Sequence, residues 1–248
     1  VVVEYDYSQI VVFSSDYNNE MSRRVPLFDP LLVPIQYSGL DEPAIAHNRL
    51  TPELLRARFQ QKKEWTPEIT DESLQSIQEY GPQALRVAAV LIPIVIRHQE
   101  PMVILTLRAS HLNDHAGQIS FPGGRQETTD PNIEFTAKRE AFEEIGLPES
   151  HVEILGSLPD YMTITGYQVS PVVSLVTTPP KLIPDSEEVA EIFEVPLAFL
   201  MNPANHQVRQ WDGPLGSRRF YAMPYESKFI WGATAGMIRN LYHFLSPF

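Results

Sequence analysis

Between Phe121 and Leu147 the chain reads FPGGRQETTDPNIEFTAKREAFEEIGL, and three of its acids, Glu140, Glu143 and Glu144, stand at positions i, i+3 and i+4. A helix advancing about 100° per residue would gather them into one arc of about 100°. Like charges so placed repel by roughly 0.2–0.5 kcal/mol per pair. Hard divalent cations, which take oxygen ligands, would remove that repulsion. An acidic helix face is usually just solvated. The pair Gly123-Gly124 immediately upstream argues for a site instead, because a double glycine lets a metal or ligand approach the main chain.

The elements that must hold these groups are partly legible in the same stretch. Asp130-Pro131 predicts a helix start, the aspartate as N-cap and the proline in the first turn. Gly146 predicts the helix end, where a left-handed residue is wanted. Over 131–145 the spacing turns Phe135, Phe142 and Ile145 away from the glutamates, to anchor the helix on a sheet. Lys138 falls on that back face, its stem expected along apolar surface and its amine in water. Strands are expected at 87–96, 102–107, 152–157, 168–176, 189–194, 207–211 and 219–223, with Asp212-Gly213 and Gly216 marking a hairpin between the last two. A short helix is expected from Pro196 and a final one from Lys228 to Leu245. Strands interleaved with a few helices predict the α+β class, one sheet system covered on both faces.

Three zones are expected along the chain. Residues 1–35 form an extension without a clear period, and Met21, followed by Ser22-Arg23-Arg24, reads as a natural translation start with 1–20 upstream of it. Residues 36–84 read as a helical segment packed on the core: Thr51-Pro52 starts one helix, continued by Leu54, Leu55 and Phe59, and a second runs from Thr70 to Tyr80 before Gly81-Pro82. Residues 85–248 carry the main domain and all the recognisable chemistry.

Composition narrows the function classes. The chain has no cysteine, which excludes disulfides, thiolate metal sites and cysteine nucleophiles, and fits a cytoplasmic location. A formal net charge of −12 argues against nucleic-acid binding over a broad surface. No apolar run reaches the roughly 18 residues of a membrane span, and the stretch Val87 to Ile96, with Pro93 inside it, reads as a buried strand. An acidic protein can still take a polyanionic substrate if divalent cations lie between the two.

The segment from Gly124 closely resembles the Nudix box, G-x5-E-x7-R-E-U-x-E-E-x-G-U with U aliphatic. REAFEEIGL, Arg139 to Leu147, fits almost position by position, with only Ala141 small for its place. Asp130 stands where the family has glutamate, and one extra residue separates it from Arg139. The residues upstream are similar to the signature of the coenzyme A diphosphatase branch: in ILTLRASHLNDHAGQISFPGG, Ile104 to Gly124, the residues Thr106, Arg108, Ala109, Gly117 and Phe121 to Gly124 fall in register, while Asn113 replaces an arginine. Similarity continues through 158–173, 187–197 and 229–241 and covers about 85–245.

The resemblance implies a Nudix fold, a mixed sheet in an α/β/α sandwich with the N-terminal helices as an addition. It implies that Glu140, Glu143 and Glu144, with the carbonyl of Gly124, hold Mg2+ or Mn2+, and that Asp130 and Arg139 form a bracing ion pair. The proton of the attacking water would go to Glu140 or to an acid of the Glu187-Glu188 pair. Arg108, His115, Gln118 and Arg125 are the expected substrate contacts; Tyr161, Thr165 and Tyr167 either shape a pocket or pack the core. The leading reading is hydrolysis of coenzyme A to 3′,5′-ADP and 4′-phosphopantetheine. A second is hydrolysis of ADP-ribose, a dinucleotide or another nucleoside diphosphate derivative, kept open by Asn113. A third is a nucleotide-binding domain without turnover, against which the intact acids count. The partner is then a small molecule, not a nucleic acid or membrane, and the N-terminal zone could supply the interface of a homodimer.

Overall fold

The computed structural model describes residues 29–61, 64–81, 85–112, 117–178, 180–213 and 216–246. The proposed start at Met21 and the residues Asn113 and His115 lie outside them. Among the described residues, twelve strands and five α-helices follow in the order β1 (Ile35–Ser38), α1 (Pro52–Gln60), α2 (Asp71–Tyr80), β2 (Arg86–Arg97), β3 (Glu100–Arg108), β4 (Ile119–Ser120), β5 (Gly123–Arg125), α3 (Ile133–Ile145), β6 (Val152–Ser157), β7 (Tyr161–Thr163), β8 (Tyr167–Val176), β9 (Val189–Pro196), α4 (Leu197–Leu200), β10 (Gln207–Gly213), β11 (Gly216–Tyr225), β12 (Lys228–Trp231) and α5 (Gly232–Leu245).

Strand β2 organises the larger sheet, whose main path is β4-β3-β2-β8-β6, with β5 joined to β2, β7 to β8 and β9 to β3. It runs parallel to β8 over ten residue pairs, from Arg86↔Tyr167 to Val95↔Val176. Its other edge is shared: Ala88 to Val90 pair with β5, and Ile94 to Arg97 pair with β3. Pro93, which has no N–H to offer, falls between the two partners. Because β2 is covered on both faces its sequence is almost continuously apolar. Ala88, Ile92 and Ile94 join the core under α5, while Ala89, Leu91 and Val95 join the core under α3. This mixed sheet with helices on both faces is the α+β sandwich expected from sequence.

The smaller sheet has the order β1-β10-β11-β12. It corrects two expectations. Residues 36–84 are not purely helical, since β1 pairs antiparallel with β10. The final helix does not begin at Lys228: residues 228–231 are a strand on β11, and helix starts at Gly232. Helices α1 and α2 do start as expected, capped by the hydroxyls of Thr51 and Thr70. Both are bound to the rest of the molecule, α1 through Arg56 to Glu153 at 2.7 Å and α2 through Asp71 to Arg219 at 3.1 Å. Glu72 of α2 also accepts from the Tyr161 hydroxyl at 2.9 Å and from the Ile164 amide at 3.1 Å.

A polar network joins the chain before residue 85 to α5. Arg239, 2% exposed, meets Glu42 at 2.7 Å and Glu68 at 3.1 Å. His243 and the Tyr221 hydroxyl also bond to Glu68. Burial would raise the Glu68 carboxyl, but His243, Tyr221 and Arg239 together hold it down at about 2. His206, fully buried, gives one ring nitrogen, Nε2, to the Leu200 carbonyl at 2.8 Å and keeps Nδ1 for the Arg239 guanidinium at 3.2 Å. Only the neutral ring satisfies both contacts, and burial depresses its pKa to about 4.

Candidate active site

Helix α3 meets the sheet through a strip of small and aliphatic residues, Ala137, Ala141 and Ile145, all fully buried. Taking Ala141 as the centre of that face, successive steps of about 100° put Glu144 roughly 60° and Glu140 roughly 100° to one side, Phe142 roughly 100° to the other, and Glu143 roughly 160° round. The surroundings follow this phase. Glu144 is 4% exposed, whereas Phe142 is 56% exposed and is not an anchor; Phe135 is half-buried. The expected back face was therefore rotated: alanines let the helix approach more closely than phenylalanines would. Lys138 reaches Glu149 at 3.2 Å.

The helix begins later than expected, at Ile133, because Asn132 is the N-cap and accepts from the Phe135 amide at 2.8 Å. Asp130 is not available for that task. Its carboxylate accepts from Arg139 Nε and Nη2 at 3.0 and 2.9 Å, from the Thr136 hydroxyl at 2.9 Å and from the Glu127 amide at 3.0 Å. The Arg139 bonds, with Glu127 and Thr136, hold the Asp130 carboxyl at about 2. Arg139 Nη2 also donates to the Arg125 carbonyl at 3.1 Å, so the pair ties the loop to the helix. At the other end Gly146 adopts φ 65° and ψ 24°, and its amide closes the helix on Phe142.

Glycines set the floor of the site. A Cβ on Gly124 would lie 2.6 Å from the carboxyl carbon of Glu140, and one on Gly123 would lie 2.6 Å from the Cα of Val90. The first glycine leaves room for a carboxylate, the second for a strand. The Gly123 amide donates to Glu144 at 3.2 Å. Arg108 Nη1 stands 3.9 Å from the other Glu144 oxygen, and its buried Nε has no hydrogen-bond partner among the described residues. Burial pushes the Glu144 carboxyl up to about 8, against the pull of Arg108 and Gly123; Glu140 and Glu188 push it further. Glu140 is raised for the same first reason, although Arg139 stands 2.9 Å away.

The structure thus brings together Glu140, Glu144, Glu188, Arg108 and the glycine corner. It keeps apart several other expected residues. Glu143 is turned to Arg139 at 2.8 Å, its side chain 54% exposed, and among the described residues no three acidic or histidine side chains converge as a ready-made metal cage. Strand alternation sends Arg125, two rows from Gly123 and level with Ala88, to the sheet face opposite Glu140; its carbonyl is what braces the site. Gln118 lies in the turn beside Arg108, whose amide donates to the Gln118 carbonyl at 3.0 Å. Both Glu187 and Glu188 are exposed, and the charge of Glu188 adds to the upward push on the Glu140 and Glu144 carboxyls. Tyr161 is committed to the core, its hydroxyl held by Thr70 and Glu72. Thr165 meets Thr163 at 3.0 Å, and the Tyr167 ring lies under the Arg86 guanidinium at 4.0 Å.

A divalent cation fits these residues on structural grounds. A buried carboxylate, Glu144, is raised by a half-buried one, Glu140, with Glu188 raising both, Glu140 occupies a cradle that any Cβ would fill, and all the donors are oxygen. Sequence reading missed the Thr136 hydroxyl under Asp130 and the turn at Asp185 that precedes Glu188. Pro184-Asp185-Ser186 carries a turn signal that would have marked the second.

Residues 85–215 match the model of the NUDIX domain, more than half of the chain. The chain is 39% identical over 195 residues to NudL, an uncharacterised Nudix hydrolase of Escherichia coli O139:H28, covering 79% of this chain and 95% of that protein. NudL of Shigella boydii serotype 18 matches to the same extent, 39% over 79% and 95%. Among solved structures, the Nudix hydrolase RenU of M. smegmatis is similar over 45% of this chain and 71% of its own, with 23% identity and a TM-score of 0.39. A diphosphate-cleaving hydrolase is the class that this fold and family define. The chain belongs to the Nudix hydrolase family, whose enzymes act on nucleoside diphosphate derivatives and generally use divalent metal ions. Among the described residues no helix is long and apolar enough to cross a membrane.

Proposed function

We propose that this enzyme hydrolyses the diphosphate linkage of coenzyme A or a close derivative, releasing 3′,5′-ADP and 4′-phosphopantetheine. The observation that carries the reading is the run Ile104 to Gly124, in register with the coenzyme A diphosphatase signature and folded so that its Arg108 lies next to Glu144 of the box. Glu140 and Glu144, with the main chain at Gly124, would hold Mg2+ or Mn2+, which neutralises the diphosphate oxygens and makes phosphorus open to attack. Arg108 contributes a planar fork whose buried Nε–H has no partner among the described residues, suited to phosphate oxygens. Water attacks phosphorus, its proton passes to Glu188, and the bridging P–O bond breaks to leave two phosphate monoesters. Glu188 is preferred to Glu187 because its charge reaches both Glu140 and Glu144. The Asp130–Arg139 pair keeps the glycine corner and α3 in register while the substrate changes charge.

Asn113, standing where the signature has arginine, favours a second reading within the same class: ADP-ribose or a dinucleotide as the better substrate. A panel of coenzyme A, its oxidised and acylated forms, ADP-ribose and a dinucleotide, run with Mg2+ and with Mn2+, separates the two by kcat/KM. Coenzyme A is expected to lead, with 3′,5′-ADP as the nucleotide product, and a chelator is expected to stop the reaction. A higher kcat/KM for ADP-ribose or the dinucleotide would transfer the assignment. Tight binding without turnover in either metal would make the domain a binder.

A further inference from the structure

We propose that Asp185 is a positioning residue for this reaction, whose carboxylate closes the turn that carries Glu188 to the Glu140–Glu144 pair. The inference rests on the reading of Glu188 as proton acceptor. Asp185 is bonded on three sides. Its amide donates to the Glu144 carbonyl at 2.9 Å, its own carbonyl accepts from the amides of Glu188 and Val189 at 3.1 and 2.7 Å, and its Oδ1 accepts from the Glu187 amide at 3.0 Å. The Ile183 amide adds a bond to the Ile145 carbonyl at 3.0 Å. These amides satisfy carbonyls in the last turn of α3, which a helix leaves without internal partners.

The far side of the turn is fixed as well. The Glu188 carbonyl accepts from the Ala109 amide at 2.9 Å, next to Arg108 in the chain. One short segment therefore joins the backbone of Glu144, the neighbour of Arg108 and the acid expected to take the proton. Within it the main-chain bonds survive any change of side chain. Only the Oδ1 contact to Glu187 depends on the residue at 185 being able to accept, as in an Asx turn. Pro184 fixes φ just before it and limits the other paths the turn could take.

This separates two substitutions. Asp185→Ala removes the side-chain bond and leaves every main-chain bond in place. Asp185→Asn keeps an oxygen in the same position and removes the charge. We expect Asp185→Ala to lower kcat about ten-fold with KM little changed, the equivalent of ~1.4 kcal/mol in the barrier, and Asp185→Asn to restore at least half of the parental kcat. Thermal midpoints of both should stay close to the parent's, showing that the fold is intact. A double-mutant cycle supplies the further readout. In a Glu188→Gln background, already slowed, Asp185→Ala should cost less than two-fold more.

If Asp185→Ala slows Glu188→Gln by its full ten-fold, Asp185 does not act through Glu188, and the proposal falls while the role of Glu188 stands. Parental kcat in Asp185→Ala overturns the proposal too, as does an Asp185→Asn enzyme as slow as Asp185→Ala. If Glu188→Gln alone turns over at the parental rate, the proton-acceptor reading fails first and takes this inference with it.

Discussion

The two glycines at the corner of the site should fail in different ways when each acquires a methyl group. At Gly124 the new carbon would lie 2.6 Å from the Glu140 carboxyl carbon, the far end of a side chain that can turn away. Restoring ordinary contact requires the carboxylate to retreat by about 1 Å, and a displacement of that size at reacting groups can cost about 100-fold in rate. The fold has little reason to suffer, because nothing in the backbone must move. At Gly123 the carbon would meet the main chain of β2, at the Ala89 carbonyl and at the Val90 Cα, 2.6 Å away. That strand is buried on both faces and cannot yield, so the cost is one of overpacking, about 1–3 kcal/mol. For a chain of this size that lowers the thermal midpoint by roughly 2–4 °C per kcal/mol. The assay pairs kcat for diphosphate hydrolysis with a melting curve for each variant. Gly124→Ala is expected to melt with the parent and turn over about 100-fold more slowly, while Gly123→Ala melts clearly earlier. A Gly124→Ala enzyme within two-fold of the parent would refute the idea that Glu140 must lie against the main chain there.

Three other outcomes follow from the charges. Glu144→Gln should abolish hydrolysis yet stabilise the metal-free protein at neutral and mildly alkaline pH, since the folded carboxyl titrates near 8 instead of 4.5 and its stability contribution is lost as pH rises across that window; equal midpoints for the two proteins at pH 8, measured with chelator present, would contradict this. His206 has the opposite sign. Its folded pKa of about 4 lies below the ordinary 6.5, so stability is full above 6.5 and declines by up to about 3 kcal/mol as pH falls towards 4. Urea melts across that range should show the decline in the parent and a flatter profile in His206→Gln. Asp130→Asn leaves the half-buried Arg139 short of its main counter-charge, and a loss of about 3 kcal/mol, roughly 6–12 °C in midpoint, is expected. A shift under 2 °C would show that Glu140 and Glu143 already suffice for Arg139.

Much of this architecture was legible in the residue order because it depends on local patterns. The buried strand β2, the caps at Thr51 and Thr70 and the left-handed stop at Gly146 are all stated by a few neighbouring residues. The departures have a common cause: they are settled by contacts distant in sequence. Asp130 looks like a cap until Arg139, Thr136 and Glu127 claim its oxygens, and the next polar residue, Asn132, takes over. Spacing alone puts Glu140, Glu143 and Glu144 on one arc; only the choice of Ala141 as the buried meridian turns Glu143 outward. Gly123 to Arg125 fall outside the expected strands, because a double glycine weakens a strand pattern, yet Ala88 to Val90 draw them into one. Glu187 and Glu188 are indistinguishable as neighbours in a chain, and the turn at Asp185 separates them in space. The strand at Lys228 was absorbed into the following helix because its four residues continue an apolar pattern that only pairing with β11 interrupts.

The network around Arg239 bears on where this molecule can be cut. Its two carboxylate partners, Glu42 and Glu68, both precede the segment that matches the family, while the guanidinium itself comes after that segment. A fragment trimmed to 85–215 would lose both halves. One begun at Leu85 and kept to the end would retain a cation sealed from solvent with its counter-ions deleted, an uncovered edge on β10 and a Tyr161 hydroxyl stripped of its donor Thr70 and its acceptor Glu72. Shortening the gene to the catalytic module is therefore a recipe for aggregation, and the smallest soluble enzyme should include the chain from β1 onward.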